Sequence, residues 1–238
     1  LVPPKKSVSH LVLYHWQIKT VLLTGLMMMV LVYYRNAELY LIDATVQPLS
    51  AWAAITLSVT GLMISSVIYH ALHHIPLANH KRMMALAGCG SIVILAYFYN
   101  QVFSSRGTMI QMAAMMATWV STSIIFVMIP TVREMAKSAH DKDPLFDKKI
   151  EKGSQYRRHN DYMMLAIIFL MGSMHIPLLQ INQKYTGRVI AAVVVIGAVA
   201  RRFVNVKHET GRKLCWPWVL VVLLTLFIIS LNMLDRNI

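Results

Sequence analysis

The sequence predicts an all-α, polytopic transmembrane helix bundle. Of its 238 residues, 57% are hydrophobic and only 14% are charged, whereas soluble domains carry about 25% charged residues. Apolar runs of ~20 residues recur along the chain, and that length crosses a ~30 Å hydrocarbon layer as a helix. Helices satisfy every backbone polar group inside lipid. We therefore expect a single integral membrane domain over residues 1–238 with about seven helices.

Seven candidate spans are separated by polar or proline-containing breaks. They cover residues 11–34, 50–74, 83–103, 109–132, 161–179, 188–206 and 216–234. Pro48 and Pro76 flank the second span, Pro177 closes the fifth, and Pro217 lies in the first turn of the seventh, as expected for helix boundaries. The longest segment between spans, 133–160, carries mixed charge. We expect it to be a solvated loop.

Basic residues predict how the chain is oriented. The net charge is +13, which in a soluble protein would suggest a nucleic-acid partner. In a membrane protein such an excess belongs to cytoplasmic loops. Of the 23 Lys and Arg residues, 17 fall on one side of the predicted spans and 5 on the other, with Lys19 inside the first span. We therefore expect a cytoplasmic N-terminus, a cytoplasmic 133–160 loop, a periplasmic C-terminus and no nucleic-acid partner.

Histidines are the first candidates for a cofactor or metal site. Neutral imidazole is the usual axial ligand of a b-type haem, and the chain has ten histidines. The candidates are His15, His70, His159 and His175, each weighed against a role as an interfacial polar residue. His159 and His175 lie roughly 160° apart around one helix, so a single bundle interior cannot receive both. The two cysteines form no CxxCH motif, which excludes a covalent c-type haem within this chain.

A second set of candidates lies at the predicted periplasmic ends of the spans. It comprises Glu38, Asn100, Gln101, Arg106 and His175. Polar groups near membrane depth are costly and often functional. The alternative is that these short loops bond to one another and to water, with Arg106 paired to Glu38 or Asp43. The 17 methionines also suggest a copper channel. However, consecutive methionines point in different directions around a helix, which favours packing in the core or against lipid.

Five short segments resemble one protein family. They are YYRNAELYLID at 33–43, QVFSSRG at 101–107, IPTVR at 129–133, HNDY at 159–162 and SMH at 173–175. Together they resemble the N-terminal membrane domain of bacterial cytochrome c-linked urate oxidases, over about residues 1–210. The family pattern has a further helix before the position of Leu1, which would give eight helices. It also has a histidine where Gln111 stands here, and we expect this chain to be processed or to lack its true start.

The resemblance implies a redox domain of the bacterial inner membrane that oxidises urate and passes electrons to a periplasmic cytochrome c. In that case Arg106 would anchor the urate anion through its guanidinium fork, and Asn100 and Gln101 would bond to the purine edges. Glu38 would lie beside them, and His175 would take a proton or ligate a haem. A b-type haem held by His159 or His175 is the cofactor that we expect.

Two other functions stay open at this point. The first is a non-catalytic accessory subunit of a larger membrane respiratory or electron-transfer complex. The second is a transporter or copper channel. The expected partners are cytochrome c or a cytochrome c-containing subunit, other membrane subunits and membrane lipid.

Overall fold

The computed structural model describes residues 6–73, 81–137, 144–175, 182–210 and 216–236. All regular secondary structure in these ranges is helical. This confirms the predicted all-α bundle.

Seven helical rods form the bundle, one for each predicted span. The elements are α1 (Lys6–Met28) with a π-helical turn (Met29–Tyr34), the short α2 (Ala37–Tyr40), α3 (Ala51–Leu72), α4 (Lys81–Asn100), α5 (Ser105–Ser123) with a π-helical turn (Ile124–Met128), α6 (Ile129–Lys137), α7 (Pro144–Met171) with a 3-10 turn (Gly172–His175), α8 (Gln183–Thr210) and α9 (Trp216–Arg236). Because α5, its π-helical turn and α6 are continuous, they make one rod.

The lengths and composition of the helices fit a membrane protein. Four of them are long and apolar enough to cross a bilayer, and they cover Leu13–Tyr34, Ala51–Leu72, Ser105–Glu134 and Gln183–Val206. Two shorter apolar stretches lie at Leu86–Asn100 and Trp218–Leu231. Of the predicted span at 161–179, residues 161–175 fall in α7 and its 3-10 turn, and 176–179 lie outside the described residues. In α7 a charged first half precedes the apolar part.

The expected loop at 133–160 is wrong for its described residues, because 133–137 and 144–160 are helical. Pro144 occupies the first helical position of α7, where the missing N–H costs nothing. The helix also has a face to bury: Tyr156 is fully buried, and the Cα of Gly153 lies close to the side chain of Thr131 on α6. Charge alone suggested a loop, but this face packs against α5 and α6.

The core is centred on α5. Its residues Met112, Met115, Met116 and Trp119 are each 2% exposed or less. Flexible thioethers fill irregular gaps between helices, so these methionines are packing residues, as expected from their consecutive spacing.

Buried polar side chains cross-link α5 to its neighbours. Ser58 of α3 donates to Oε1 of Gln111 at 2.6 Å, and Nε2 of Gln111 donates to the Ser58 carbonyl at 3.0 Å. The hydroxyls of Tyr34 and Ser58 lie 2.8 Å apart. Gln111, which stands where the family pattern has a histidine, therefore has a structural role in joining α3 to α5.

Two of the five segments that carry the family resemblance pack against each other. The Ser104 N–H donates to the Leu41 carbonyl at 2.8 Å, and the Ser104 hydroxyl donates to the Tyr40 carbonyl at 2.7 Å. The same hydroxyl caps α5 by accepting from the Gly107 N–H at 3.0 Å. Segments 33–43 and 101–107 thus form one joint at the start of α5.

This joint requires a glycine at position 107. A Cβ there would lie 3.0 Å from Leu41 Cα and 3.1 Å from the carbonyl oxygens of Leu41 and Tyr40, and backbone atoms cannot rotate aside. We expect Gly107→Ala to lower the free energy of unfolding by about 1–3 kcal/mol.

Gly90 of α4 is the matched control, because nothing lies within 4 Å of its added Cβ. Gly90→Ala should leave stability unchanged or raise it by up to ~1 kcal/mol. Thermal unfolding of the purified protein in detergent measures both variants. Equal shifts for the two would contradict the packing described for Gly107.

Candidate functional site

The bundle has two ends that carry candidate residues. We call the end where α4 finishes at Asn100 and α8 begins at Gln183 the amide end. We call the opposite end, where α3 finishes near His70 and His73, the histidine end.

At the amide end, polar side chains bond helix to helix. Nδ2 of Asn100 donates to the Gln183 carbonyl at 3.1 Å, and Nε2 of Gln183 donates to the carbonyls of Asn100 and Phe103. The hydroxyls of Ser105 and Thr186 lie 2.6 Å apart. Asn100 therefore joins α4 to α8, and its amide N–H faces protein.

The other four candidates of this end are exposed side chains: Glu38, Gln101, Arg106 and His175. Within the described ranges, Arg106 forms no ion pair with Glu38 or Asp43. Asp43 instead accepts from the N–H and hydroxyl of Thr45 at 2.9 and 2.6 Å, which lowers the pKa of its carboxyl. The structure does not gather these candidates around a cavity, and their catalytic role stays a prediction.

The histidine end holds a cluster of rings between α3, α5 and α7. Nδ1 of His70 lies 3.2 Å from the Tyr156 hydroxyl, and Nε2 lies 3.0 Å from Oγ1 of Thr122. His73 stacks on Tyr156 with ring centroids 3.9 Å apart. Tyr69 stacks on Trp119 at 4.8 Å. Both nitrogens of His70 are thus engaged, which gives this candidate a structural role.

Beside this cluster lies a cavity of about 430 Å³, a size typical of small-molecule sites. It is bounded by Tyr69, Gly88, Cys89, Ile92, Trp119, Arg158, His159, Tyr162, Met163, Val194, Ala198, Val199 and Arg202. Helices α4, α5, α7 and α8 supply most of these residues. The cavity is apolar and aromatic on the side of Trp119 and Tyr69, and polar on the side of His159.

The polar side of the cavity is cationic. Arg158 and Arg202 are exposed at its rim, and neither has an ion-pair partner within the described part of the chain. The neighbouring Arg201 is different, because its guanidinium lies 3.2 Å from the Asp161 carboxylate and ties α8 to α7. The described lining contains no carboxylate. A flat, unsaturated anion matches this combination of aromatic wall and free guanidinium groups.

His73 and His159 do not fit a six-coordinate haem as a pair of ligands. Such a haem needs two imidazoles on opposite faces of the porphyrin. The two ring centroids are only 5.2 Å apart, with the planes at 69°, and Nδ1 of His73 is bonded to the Tyr69 carbonyl. Among the described residues no three His, Cys, Asp or Glu side chains converge on one point. A haem held by His159, or by His175 at the amide end, stays a prediction.

Comparison with known proteins assigns the family. The family model described as urate oxidase N-terminal matches residues 1–232. The chain belongs to the urate oxidase N-terminal family. No curated protein and no solved structure matches it.

In this urate oxidase N-terminal chain, the HNDY segment builds the cavity. His159 and Tyr162 line it, while Nδ2 of Asn160 donates to the Ser123 hydroxyl of α5 at 2.8 Å. Asp161 makes the ion pair with Arg201. Four consecutive residues thus hold the cavity in place or face into it.

His159 is a candidate from the sequence alone, whereas the two arginines of the cavity, Arg158 and Arg202, are not among the predicted site residues. Arg202 falls inside the predicted 188–206 span, where a charged residue is a signal of function. Arg158 precedes the predicted 161–179 span, where a basic residue indicates orientation only. Tyr69, Tyr156 and Trp119 left no such signal, because an aromatic residue in an apolar span is ordinary core.

Proposed function

We propose that this chain is the membrane redox domain of a urate oxidase-type system. It binds urate in the cavity beside His159, oxidises it there and delivers the electrons to a cytochrome c. Family membership supports the reaction class. The location rests on two guanidinium groups, those of Arg158 and Arg202, at the rim of a cavity whose lining includes Trp119 and Tyr69. Neither has an ion-pair partner within the described part of the chain.

The chemistry of urate matches this cavity. Urate is a planar anion near neutral pH, and its edges carry carbonyl oxygens and ring nitrogens. A guanidinium offers a rigid fork of donors to such an edge, and the largely apolar lining of the cavity accommodates the faces of a flat ring. The imidazole of His159 and the hydroxyl of Tyr162 provide the remaining donors and acceptors.

The proposed reaction balances without a further reactant. Urate monoanion loses two electrons and one proton and becomes a neutral dehydrogenated purine, to which water then adds. Two molecules of ferric cytochrome c each take one electron. The proton goes to His159, which lines the cavity and makes no hydrogen bond within the described residues, so that its ring is available as a general base.

The location is tested by neutralising one arginine at a time. We expect Arg202→Gln to lower kcat/KM for urate, with cytochrome c as acceptor, by roughly 10–100-fold, mostly through KM, because a charge-assisted contact to the anion is lost. Arg158→Gln should act in the same direction. Steady-state kinetics of cytochrome c reduction measure both variants.

Arg201→Gln is the matched control, since it removes the same charge from the adjacent residue. Its partly exposed ion pair with Asp161 contributes only about 0.2–1 kcal/mol to stability, and KM should stay unchanged. Arg106→Lys tests the rival location at the amide end. A large loss of turnover in Arg106→Lys, with full activity in Arg202→Gln, would return the site to that end.

We propose that the domain lies in the bacterial inner membrane with its histidine end in the cytoplasm. The support is the charge asymmetry, because the basic residues concentrate at that end and the positive-inside rule assigns it to the cytoplasm. Helix α9 runs from Trp216 to Arg236 and ends at the amide end. Urate would then enter from the cytoplasm, and its electrons would need a redox carrier in the bundle, such as the predicted b-type haem, to reach a periplasmic cytochrome c across the ~30 Å hydrocarbon layer.

Reporter fusions test this orientation. We expect a fusion at Lys148 to report the cytoplasm and a fusion after Ile238 to report the periplasm, because an odd number of rods separates the two positions. The same compartment for both fusions would contradict the proposed arrangement of the last three rods.

An accessory, non-catalytic subunit is the second candidate. The segment Leu13–Tyr34 is almost entirely exposed, so that its apolar surface is available to a neighbouring membrane subunit or to lipid. Failure of the purified protein to oxidise urate with cytochrome c, together with co-purification of other membrane subunits, would favour this function.

A further inference from the structure

The two ring nitrogens of His73 differ: one is hydrogen-bonded, which fixes its protonation, and the other has no hydrogen-bond partner within the described residues. Its Nδ1 lies 2.9 Å from the Tyr69 carbonyl oxygen. A carbonyl can only accept, so Nδ1 carries the proton, and in the neutral ring Nε2 presents a lone pair. His73 is 3% exposed, and Nε2 has no hydrogen-bond partner within the described residues. A buried acceptor without a partner is unfavourable, and such a group calls for a function.

The surroundings of His73 hold its ring in one position. One face stacks on Tyr156, with centroids 3.9 Å apart and planes at 12°. The Tyr69 ring packs edge-on at 4.7 Å. On the remaining side lies His159, whose ring centroid is 5.2 Å away and whose side chain lines the cavity. His159 therefore contacts both the cavity and the ring of His73.

We propose that His73 is a buried proton acceptor that works through His159. The inference rests on the proposed function, in which urate releases one proton as its two electrons leave for cytochrome c. The proton passes from urate to His159 and then to Nε2 of His73, after the His159 ring has turned to bring one of its nitrogens within hydrogen-bond reach of that atom. His159 returns to its neutral form and is ready for the next substrate, while His73 becomes an imidazolium and later releases the proton to water. His73 is thus a positioning residue for proton flow, and His159 is the group that touches urate.

The imidazolium formed in this step is stabilised on two sides. Its Nδ1–H keeps the bond to the Tyr69 carbonyl, which is stronger when the donor is charged. The face of Tyr156 adds a cation–π interaction. The other titratable groups that act on the ring oppose the charge: Lys152 and His159 on α7, and His70 on α3. The protonated state is therefore short-lived, which favours onward release.

His73→Phe tests the relay. Phenylalanine keeps a flat ring between Tyr156 and Tyr69 but removes both nitrogens. We expect kcat for urate oxidation to fall at least tenfold, with KM and the affinity of urate in calorimetric titration unchanged. The acidic limb of the kcat–pH profile should also change, because it then reports the protonation of His159 alone and no longer that of His73.

Should His73→Phe fail to fold, His73→Gln takes its place, since its amide N–H can donate to the Tyr69 carbonyl while its oxygen cannot hold the proton. Thr122→Val is the control, because it removes a bond to His70 without touching His73. We expect it to keep kcat and the pH profile. A further experiment adds free imidazole to the His159→Ala variant. We expect urate oxidation to recover in proportion to the concentration of neutral imidazole.

The outcomes separate the relay from the proposed function. Wild-type protein that neither binds urate nor reduces cytochrome c with it would overturn the proposed function. Active wild-type protein, with a His73→Phe variant of normal kcat and normal pH profile, would overturn the relay alone. Equal losses of affinity and kcat in His73→Phe and His73→Gln would also overturn it, since they would indicate a structural role.

Discussion

The bundle depends on one constraint: the polar side chains of α5 that lie in its apolar interior must find hydrogen-bond partners. Burying an unpaired amide or hydroxyl is costly. Gln111 therefore pairs with Ser58 of α3, and Ser123 pairs with Asn160 of α7. The indole N–H of Trp119 donates to the Ser65 hydroxyl at 3.3 Å. These bonds set the rotation of α3 and α7 about α5, and that rotation brings His73, Tyr156 and His159 together.

The cavity exists because α4 is held at one end. At the amide end, Asn100 and Gln183 join α4 to α8, and a Cβ at Gly187 would lie 3.6 Å from the Tyr97 ring. Toward the histidine end, the α4 residues that line this space are Gly88, Cys89 and Ile92, of which the first two are small. Small side chains there leave room that the large rings of α5 and α7 do not fill. The polar contacts of the amide end thus shape a binding site at the other end of the bundle.

The helices were predictable from the sequence, whereas the site was only partly so. Apolar runs and prolines located all seven rods, because the length of a membrane span is fixed by the bilayer. The helical part of 133–160 was missed, since its buried face, with Tyr156, is interrupted by charges that lie on the exposed face. His159 was identified from its residue type. Its companions Arg202 and Tyr69 come from other rods, and one sequence does not encode which rods are neighbours.

The most direct test of the cavity uses the thiol that lies in its wall. Cys89 is exposed in the cavity, and Cys215→Ser leaves it as the one thiol of the chain. The measurement is the rate at which a maleimide alkylates Cys89 in detergent with and without urate. We expect urate to slow the alkylation of Cys89 in a saturable way. In Arg202→Gln, a higher urate concentration should be needed to slow alkylation to the same extent. An alkylation rate that saturating urate leaves unchanged would contradict the assignment of this cavity as the urate site.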